Sequence, residues 1–231
     1  MAMKNTKPIK QLILFTIVLL IASTAVAGEN YLATLASTLG AGEWALMTGS
    51  NLSGSMTSQE GDSIMNYSDD MEWDPSTNRV IFIGGTHGGN ANRGWLVYEA
   101  GTNTWTRSNL SVAWHAYNQN AIDLTRRRMY HRYGGDGVVY WKPIDGAYGS
   151  SSWTSVGTYC PSPGSYCGAD AMGLEYFPDI DRVVAFDSRA SGNLRYYNAD
   201  TNSWSNGPAH GYPDTYHMEI LYNPVYHIMA F

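Results

Sequence analysis

Charge is scarce in this chain of 231 residues. Only 15% of them are Asp, Glu, Lys or Arg, against roughly 25% in an ordinary globular domain. Long runs of one sign are missing, which excludes a basic nucleic-acid-binding tail and a charge-rich disordered chain. Lysine stops early: Lys4, Lys7 and Lys10 are followed only by Lys142. Cysteine is limited to Cys160 and Cys167, too few for a multi-thiol metal framework. No segment after the first thirty residues keeps a helical period long enough to read as a helix, which excludes a coiled coil. What is abundant is Gly 24, Tyr 17 and Trp 8 within a 44% hydrophobic composition. That is the composition of a turn-rich, aromatic-rich β protein, long enough to bury a core.

The first segment stands apart. Three lysines precede an apolar stretch from Leu12 to Ile21, then small residues and Ala25-Val26-Ala27 before Gly28. A basic region, a short apolar core and an A-x-A site make a signal peptide, expected to be cleaved after Ala27. The apolar core is shorter than the ~20 residues of a spanning helix, and no cysteine follows it for a lipid anchor. The mature chain 28–231 is therefore expected to be secreted or extracytoplasmic, with no membrane role beyond export. Losing three lysines takes the basic count from 14 to 11 against 20 acids, so the net charge moves from −6 to −9. Such a surface disfavours nucleic acid and anionic lipid. In an exported chain the segment Cys160-Pro-Ser-Pro-Gly-Ser-Tyr-Cys167 reads as a local disulfide.

An internal repeat of about fifty residues organises the rest. Tyr98 to Trp105 (Y-E-A-G-T-N-T-W) matches Tyr197 to Trp204 (Y-N-A-D-T-N-S-W), and Trp153 lies between them. A second marker keeps the same phase. Trp73-Asp74-Pro75 leads to Arg79, Ile122-Asp123 to Arg128, Phe177-Pro178-Asp179 to Arg182, and Tyr222-Asn223-Pro224 to His227. Each is an apolar strand, a polar turn and a second apolar strand, a hairpin pattern. Four strands per unit follow: 67–74, 78–85, 93–100 and 104–108; then 115–123, 128–134, 137–142 and 152–156; then 171–177, 182–187, 193–198 and 203–205. A fourth unit begins at 217 and is partial.

With four strands per repeat, Gly84-Gly85 and Gly134-Gly135 after the second strand, and the spaced Tyr and Trp, the chain resembles the kelch repeats of the galactose-oxidase-type β-propeller. The likeness covers residues 43–231. The third unit departs from it with Asp187-Ser188 at the diglycine position, and the second carries an insertion between Tyr140 and Trp153. The fold expected is all-β, with blades at 67–108, 115–156 and 171–205 and a partial one at 217–231. Trp44, Trp105, Trp153 and Trp204 are assigned to the core between blades, and the strand around Trp44 to the fourth strand of an incomplete blade. Propellers usually have four to eight blades, so the expectation is a C-terminally truncated fragment of a six- or seven-bladed protein. Oligomeric closure is the alternative.

In a propeller, between-blade links and links from second to third strands emerge at one end. That end collects His87, His115, Tyr117, Asp136, Arg189, Asp214, Tyr216 and His217, the candidate ligand-binding residues. Trp114-His115-Ala116-Tyr117 and Asp214-Thr215-Tyr216-His217 both open a first strand. Inner strands add Asn118, Asn120, Glu175 and Glu219. Trp114, Tyr159, Tyr166 and Tyr212 offer flat surfaces near the same end, whereas Trp95 is assigned to packing.

Other chemistry is poorly supported. Asp69, Asp70 and Glu72 bring carboxylates together, but adjacent strand residues face opposite sides, so Asp69 and Asp70 cannot serve one site. Gly84-Gly85 and Gly88-Gly89 around His87 read as strand-exit geometry. Arg126-Arg127-Arg128 reads as a solvated run at a hairpin turn on the opposite end. There is no G-x-S-x-G, H-E-x-x-H or P-loop. Sequons at Asn51, Asn66 and Asn109 matter only if the source glycosylates exported proteins. The resemblance raises a copper oxidase, whose site needs Tyr and His ligands and a Tyr–Cys thioether. Here both cysteines are better explained as a pair, and no Tyr matches a ligand position. The reading is therefore a recognition module for carbohydrate or extracellular protein, with no cofactor and no catalytic residue expected. The alternatives are an oxidase whose copper ligands lie beyond Phe231, and a structural cell-surface protein.

Overall fold

The structure is a computed structural model and describes residues 30–50, 70–84, 94–109, 119–132, 138–145, 153–158, 173–186, 193–209, 211 and 219–231. Three four-stranded antiparallel sheets follow one another along the chain. They are β1 (Met71–Asp74), β2 (Arg79–Gly84), β3 (Gly94–Glu99) and β4 (Thr104–Asn109); β5 (Asn120–Asp123), β6 (Arg128–Arg132), β7 (Val138–Pro143) and β8 (Thr154–Thr158); then β9 (Leu174–Phe177), β10 (Arg182–Phe186), β11 (Asn193–Asn198) and β12 (Ser203–Ala209). A two-stranded hairpin, β13 (Leu221–Asn223) and β14 (Ile228–Ala230), follows. Each strand pairs with its neighbour in sequence, and the first strands β1, β5, β9 and β13 run against one another. The fold is all-β, built of propeller-type blades, with three four-stranded sheets and one two-stranded hairpin among the described residues.

The repeat motif has a physical reason. Tyr98 and Trp105 are register partners across β3 and β4, with rings 5.1 Å apart, and Tyr197 and Trp204 repeat this across β11 and β12 at 5.2 Å. Each Tyr hydroxyl donates to the asparagine of its turn, Tyr98 to Asn103 and Tyr197 to Asn202, both at 2.8 Å. Those asparagines stand at φ 53° and 48°, a left-handed conformation that Asn tolerates better than most residues. The seven-residue spacing is thus the length of one tight turn plus one cross-strand pair.

Apolar faces meet between blades. Ile81, Ile83, Trp95 and Val97 of the first blade pack on Ile122, Met129 and Ile144 of the second. Ala121, Tyr130, Val139 and Val156 pack on Leu174, Tyr176, Val183 and Ala185 of the third. Val184, Phe186 and Leu194 in turn cover Ile220, with Met229 of the hairpin packed alongside. Strands such as β2 and β10 are buried on both faces, which is why they read as unbroken apolar runs. Trp153 and Trp204 lie in these layers, as their periodicity predicts, whereas Trp105 packs on the free face of the first blade and not between blades.

Two more expectations are corrected here. Trp44 is 95% exposed and belongs to no strand. The free face of the first blade is covered instead by a helix α1 (Tyr31–Ser37), whose Tyr31 and Leu32 join Met47 against Phe82, Leu96, Tyr98 and Trp105. Asn30 caps this helix by accepting from the Ala33 N–H at 3.2 Å. At seven residues it is too short to show a period. The second correction concerns the arginine run, which is not a solvated surface feature.

Candidate functional site

The hairpin turns of the three blades lie at one end of the sheets, and arginines bind them together. Arg127 directs a two-pronged fork at Asp74 of the first blade, Nη1 to Oδ1 at 2.7 Å and Nη2 to Oδ2 at 2.6 Å, and Nη2 also reaches Asp145 at 2.7 Å. Arg126 reaches the third blade, donating to both carboxylate oxygens of Asp181 at 2.6 Å and to Asp200 at 2.9 Å, and it also holds its own Asp123 at 3.0 Å. Arg128 lies over the Trp141 ring at 4.1 Å. Asp74 and Asp123 are fully buried, whereas Asp181, Asp145 and Asp200 are 39%, 57% and 69% exposed, so of these cross-blade pairs it is Arg127–Asp74 that is largely removed from water. They make a belt across three blades at the turn end. Arg127 itself sits at φ 55°, where a bulky residue is uncommon. The equivalent turn positions Asn78, Asp181 and His227 share it, at φ 54°, 54° and 56°, so the turn itself imposes this conformation.

Burial alone would raise the Asp74 carboxyl, but hydrogen bonds from Arg127, Thr77 and Ser76 outweigh it and hold the group well below the usual carboxylate range. Asp181 is held low by Arg126 and the Tyr176 hydroxyl. For a depressed carboxylate, stability is complete above its ordinary pKa and is lost as pH falls below it. The thermal midpoint should therefore drop steeply between about pH 4 and pH 2. Melting Asp74→Asn over the same range checks the assignment, because its midpoint should fall less.

The inner strands carry a second cluster, of opposite character. Glu72 on β1 faces the second blade and accepts the Ile122 N–H of β5. Glu175 on β9 faces the fourth, with Oε1 accepting the Tyr176 N–H at 2.8 Å and Oε2 accepting the Tyr222 N–H of β13 at 3.4 Å. Burial pushes Glu175 up to about 7, those two hydrogen bonds offsetting only part of it. Burial also raises Glu72 well above its ordinary value, and the charges of Asp70 and Glu175 add to that. These inner acids link the first strands of neighbouring blades, and burial favours their protonated forms. Asp70 and Glu72 lie two apart and so share a face. That signal was present in the sequence, whereas their approach to Glu175 was not.

Between the first two blades lies a buried polar layer. His131 Nδ1 is 2.8 Å from Asn120 Oδ1, and both residues are buried. Lys142 is 2% exposed, with Nζ 5.5 Å from the Trp95 ring and 6.0 Å from that of Trp153, and burial pushes its amine down. Among the described residues no group of three or more His, Cys, Asp or Glu is placed to hold a metal ion. None of their helices is long and apolar enough to cross a membrane.

The eight residues expected at the opposite end, His87, His115, Tyr117, Asp136, Arg189, Asp214, Tyr216 and His217, lie outside the described residues. So do Cys160 and Cys167. The described strands fix where the intervening segments are tethered. The turns 75–78, 124–127 and 178–181 lie at the belt end. The segments 85–93, 133–137 and 187–192, and the links between blades, depart from the other strand ends.

Comparison with known proteins gives likeness of structure only. No protein-family model and no curated protein matches the sequence. Among solved structures, one from a nidogen–laminin complex matches 68% of this chain and 52% of its own, at 8% identity and a TM-score of 0.48. A fungal alcohol oxidase of the AA5 family in complex with copper matches 58% of this chain and 29% of its own, at 12% identity and a TM-score of 0.42. PorZ, a surface component of the type-IX secretion system of Porphyromonas gingivalis, matches 71% of this chain and 23% of its own, at 12% identity and a TM-score of 0.46. The matched region spans about half the length of the first of these and less of the others.

Proposed function

We propose that this chain is an exported recognition module on kelch-type blades, binding carbohydrate or an extracellular protein through the end opposite the arginine belt. One observation carries the reading: the belt, with Asp74 and Asp123 buried in it, ties the turn end of three blades together and leaves ligand contact to the loop end. Loops on a rigid scaffold are where binding groups usually sit. The repeated His and Tyr that precede β5 and β13 in the sequence, His115 with Tyr117 and Tyr216 with His217, carry hydrogen-bonding groups and flat apolar surface suited to such a role. The signal-peptide pattern and the acidic mature chain agree with an extracellular partner that is neither nucleic acid nor anionic lipid.

The test is a glycan and extracellular-matrix protein array probed with the full chain, followed by titration of any hit against Tyr117→Ala and Tyr216→Ala. The expected result is a ligand bound at least tenfold more weakly by these variants, with unchanged melting. A hit whose affinity is indifferent to both substitutions contradicts the assignment. So does copper-dependent oxidation of alcohols by the purified protein, which favours the oxidase.

A further inference from the structure

The turn end has a third link between sheets, and it is built differently from the other two. Arg127 and His227 each stand last in their turns, just ahead of β6 and β14, at φ 55° and 56°. Each reaches back to a carboxylate of the preceding blade, Arg127 to Asp74 and His227 to Asp179. The first of these contacts is made by two guanidinium prongs. The other is made by a single imidazole nitrogen, His227 Nδ1, which lies 3.0 Å from Asp179 Oδ1 and 3.1 Å from Oδ2. The Tyr222 hydroxyl of β13 completes the group, 3.2 Å from Asp179 Oδ2 and 3.3 Å from His227 Nδ1. No arginine or lysine among the described residues pairs with Asp179, so this link lacks the fixed positive charge that closes the others.

Three donor atoms from three residues thus stand 3.0 to 3.3 Å from one another. That is the spacing of a metal coordination shell. Nitrogen and oxygen ligands lie ~2.0–2.2 Å from zinc, which sets neighbouring ligands about 3.3 Å apart around a tetrahedral ion and about 2.9 Å apart around an octahedral one. A guanidinium has no lone pair to give, whereas an imidazole nitrogen, a carboxylate and a phenol oxygen each have one. The group is also open to solution. The His227 and Asp179 side chains are 66% and 33% exposed, so an ion can enter and water can complete its shell. With one His, one Asp and one Tyr it falls outside the groups of three or more His, Cys, Asp or Glu that the described residues lack.

We propose that His227 Nδ1, Asp179 and the Tyr222 hydroxyl form a surface site for a divalent transition ion such as zinc or copper(II), which ties the β13–β14 turn to the third blade as Arg127 ties the second blade to the first. Without the ion the three groups are joined by hydrogen bonds. Binding replaces those bonds: His227 ligates through the Nδ1 lone pair with its proton on Nε2, Asp179 ligates as the carboxylate, and a proton released by the Tyr222 hydroxyl passes to solvent. The nitrogen ligand favours ions of this class over calcium and magnesium, which take oxygen ligands.

Calorimetric titration of the full chain, free of any affinity tag, with zinc chloride tests this. Five of the six histidines lie elsewhere, so the variants and not the stoichiometry decide. Zinc should bind at least tenfold more weakly at this site in Asp179→Asn and in His227→Asn, and severalfold more weakly in Tyr222→Phe. Asn suits position 227 because it tolerates the left-handed conformation there, and metal-free melting confirms that each variant folds. Saturating zinc should slow hydrogen exchange at residues 178–181 and 221–228 in the wild type and in neither Asn variant, with β2 and β3 as internal reference. Zinc binding weaker than about 1 mM, or an affinity and exchange response unchanged in either Asn variant, overturns the proposal and leaves the three groups as a hydrogen-bonded contact only.

Discussion

Arg127→Ala should lower the unfolding free energy by about 3 kcal/mol, at the lower end of the ~3–5 kcal/mol typical when one partner of a buried ion pair is removed. The cost falls on Asp74, which is fully buried and would lose its two-pronged partner. It is not at the upper end because Asp74 keeps hydrogen bonds from the Ser76 N–H at 3.1 Å, the Ser76 hydroxyl at 2.8 Å and the Thr77 hydroxyl. The Asp145 side of the pair adds little, since that carboxylate is 57% exposed. Urea unfolding measures the loss, and Asp74→Asn placed on Arg127→Ala should recover part of it by removing the stranded charge. Arg127→Lys should fall between, because a point charge cannot reproduce the fork. A loss below 0.5 kcal/mol for Arg127→Ala would mean that the belt is an ordinary set of surface contacts.

Trp95→Ala should be at least as damaging, about 3–5 kcal/mol, as for other large aromatic-to-alanine changes in a packed core. Trp95 is fully buried on β3 and fills the layer between the first two blades, with its ring 5.6 Å from that of Trp153. Lys142 would also lose one of the two rings it lies against. Trp95→Phe keeps an aromatic ring in the layer and should cost well under half as much. The midpoint of denaturant unfolding should move with little change in slope, since the unfolded chain exposes nearly the same surface. If Trp95→Ala unfolds at the wild-type midpoint, the two blades are not packed as described.

Much of this architecture is legible in the residues because it is local. Tyr98 with Trp105, and Tyr197 with Trp204, are joined across a single turn, so their spacing records the register directly. Buried strands such as β2 and β10 announce themselves as apolar runs. The arginine belt is different. Arg127 finds Asp74 across 53 residues and Arg126 finds Asp181 across 55, and only the stacking of blades brings them together. A run of three arginines at a turn carries no sign of that. The same holds for Glu72 and Glu175, whose shared setting depends on first strands from separate blades. Helix α1 escapes for another reason: two turns of helix are too few for a period, and its packing on the first blade decides its fate.

The division of labour between the two ends is the central claim, and ligand affinity of paired variants tests it most directly. Titration of a glycan or protein ligand against Arg127→Lys and against Tyr216→Ala, below the melting range of both, should give wild-type affinity for the belt variant and at least tenfold weaker binding for the loop variant. Weakened binding in Arg127→Lys alongside wild-type binding in Tyr216→Ala would place recognition at the turn end and contradict the account.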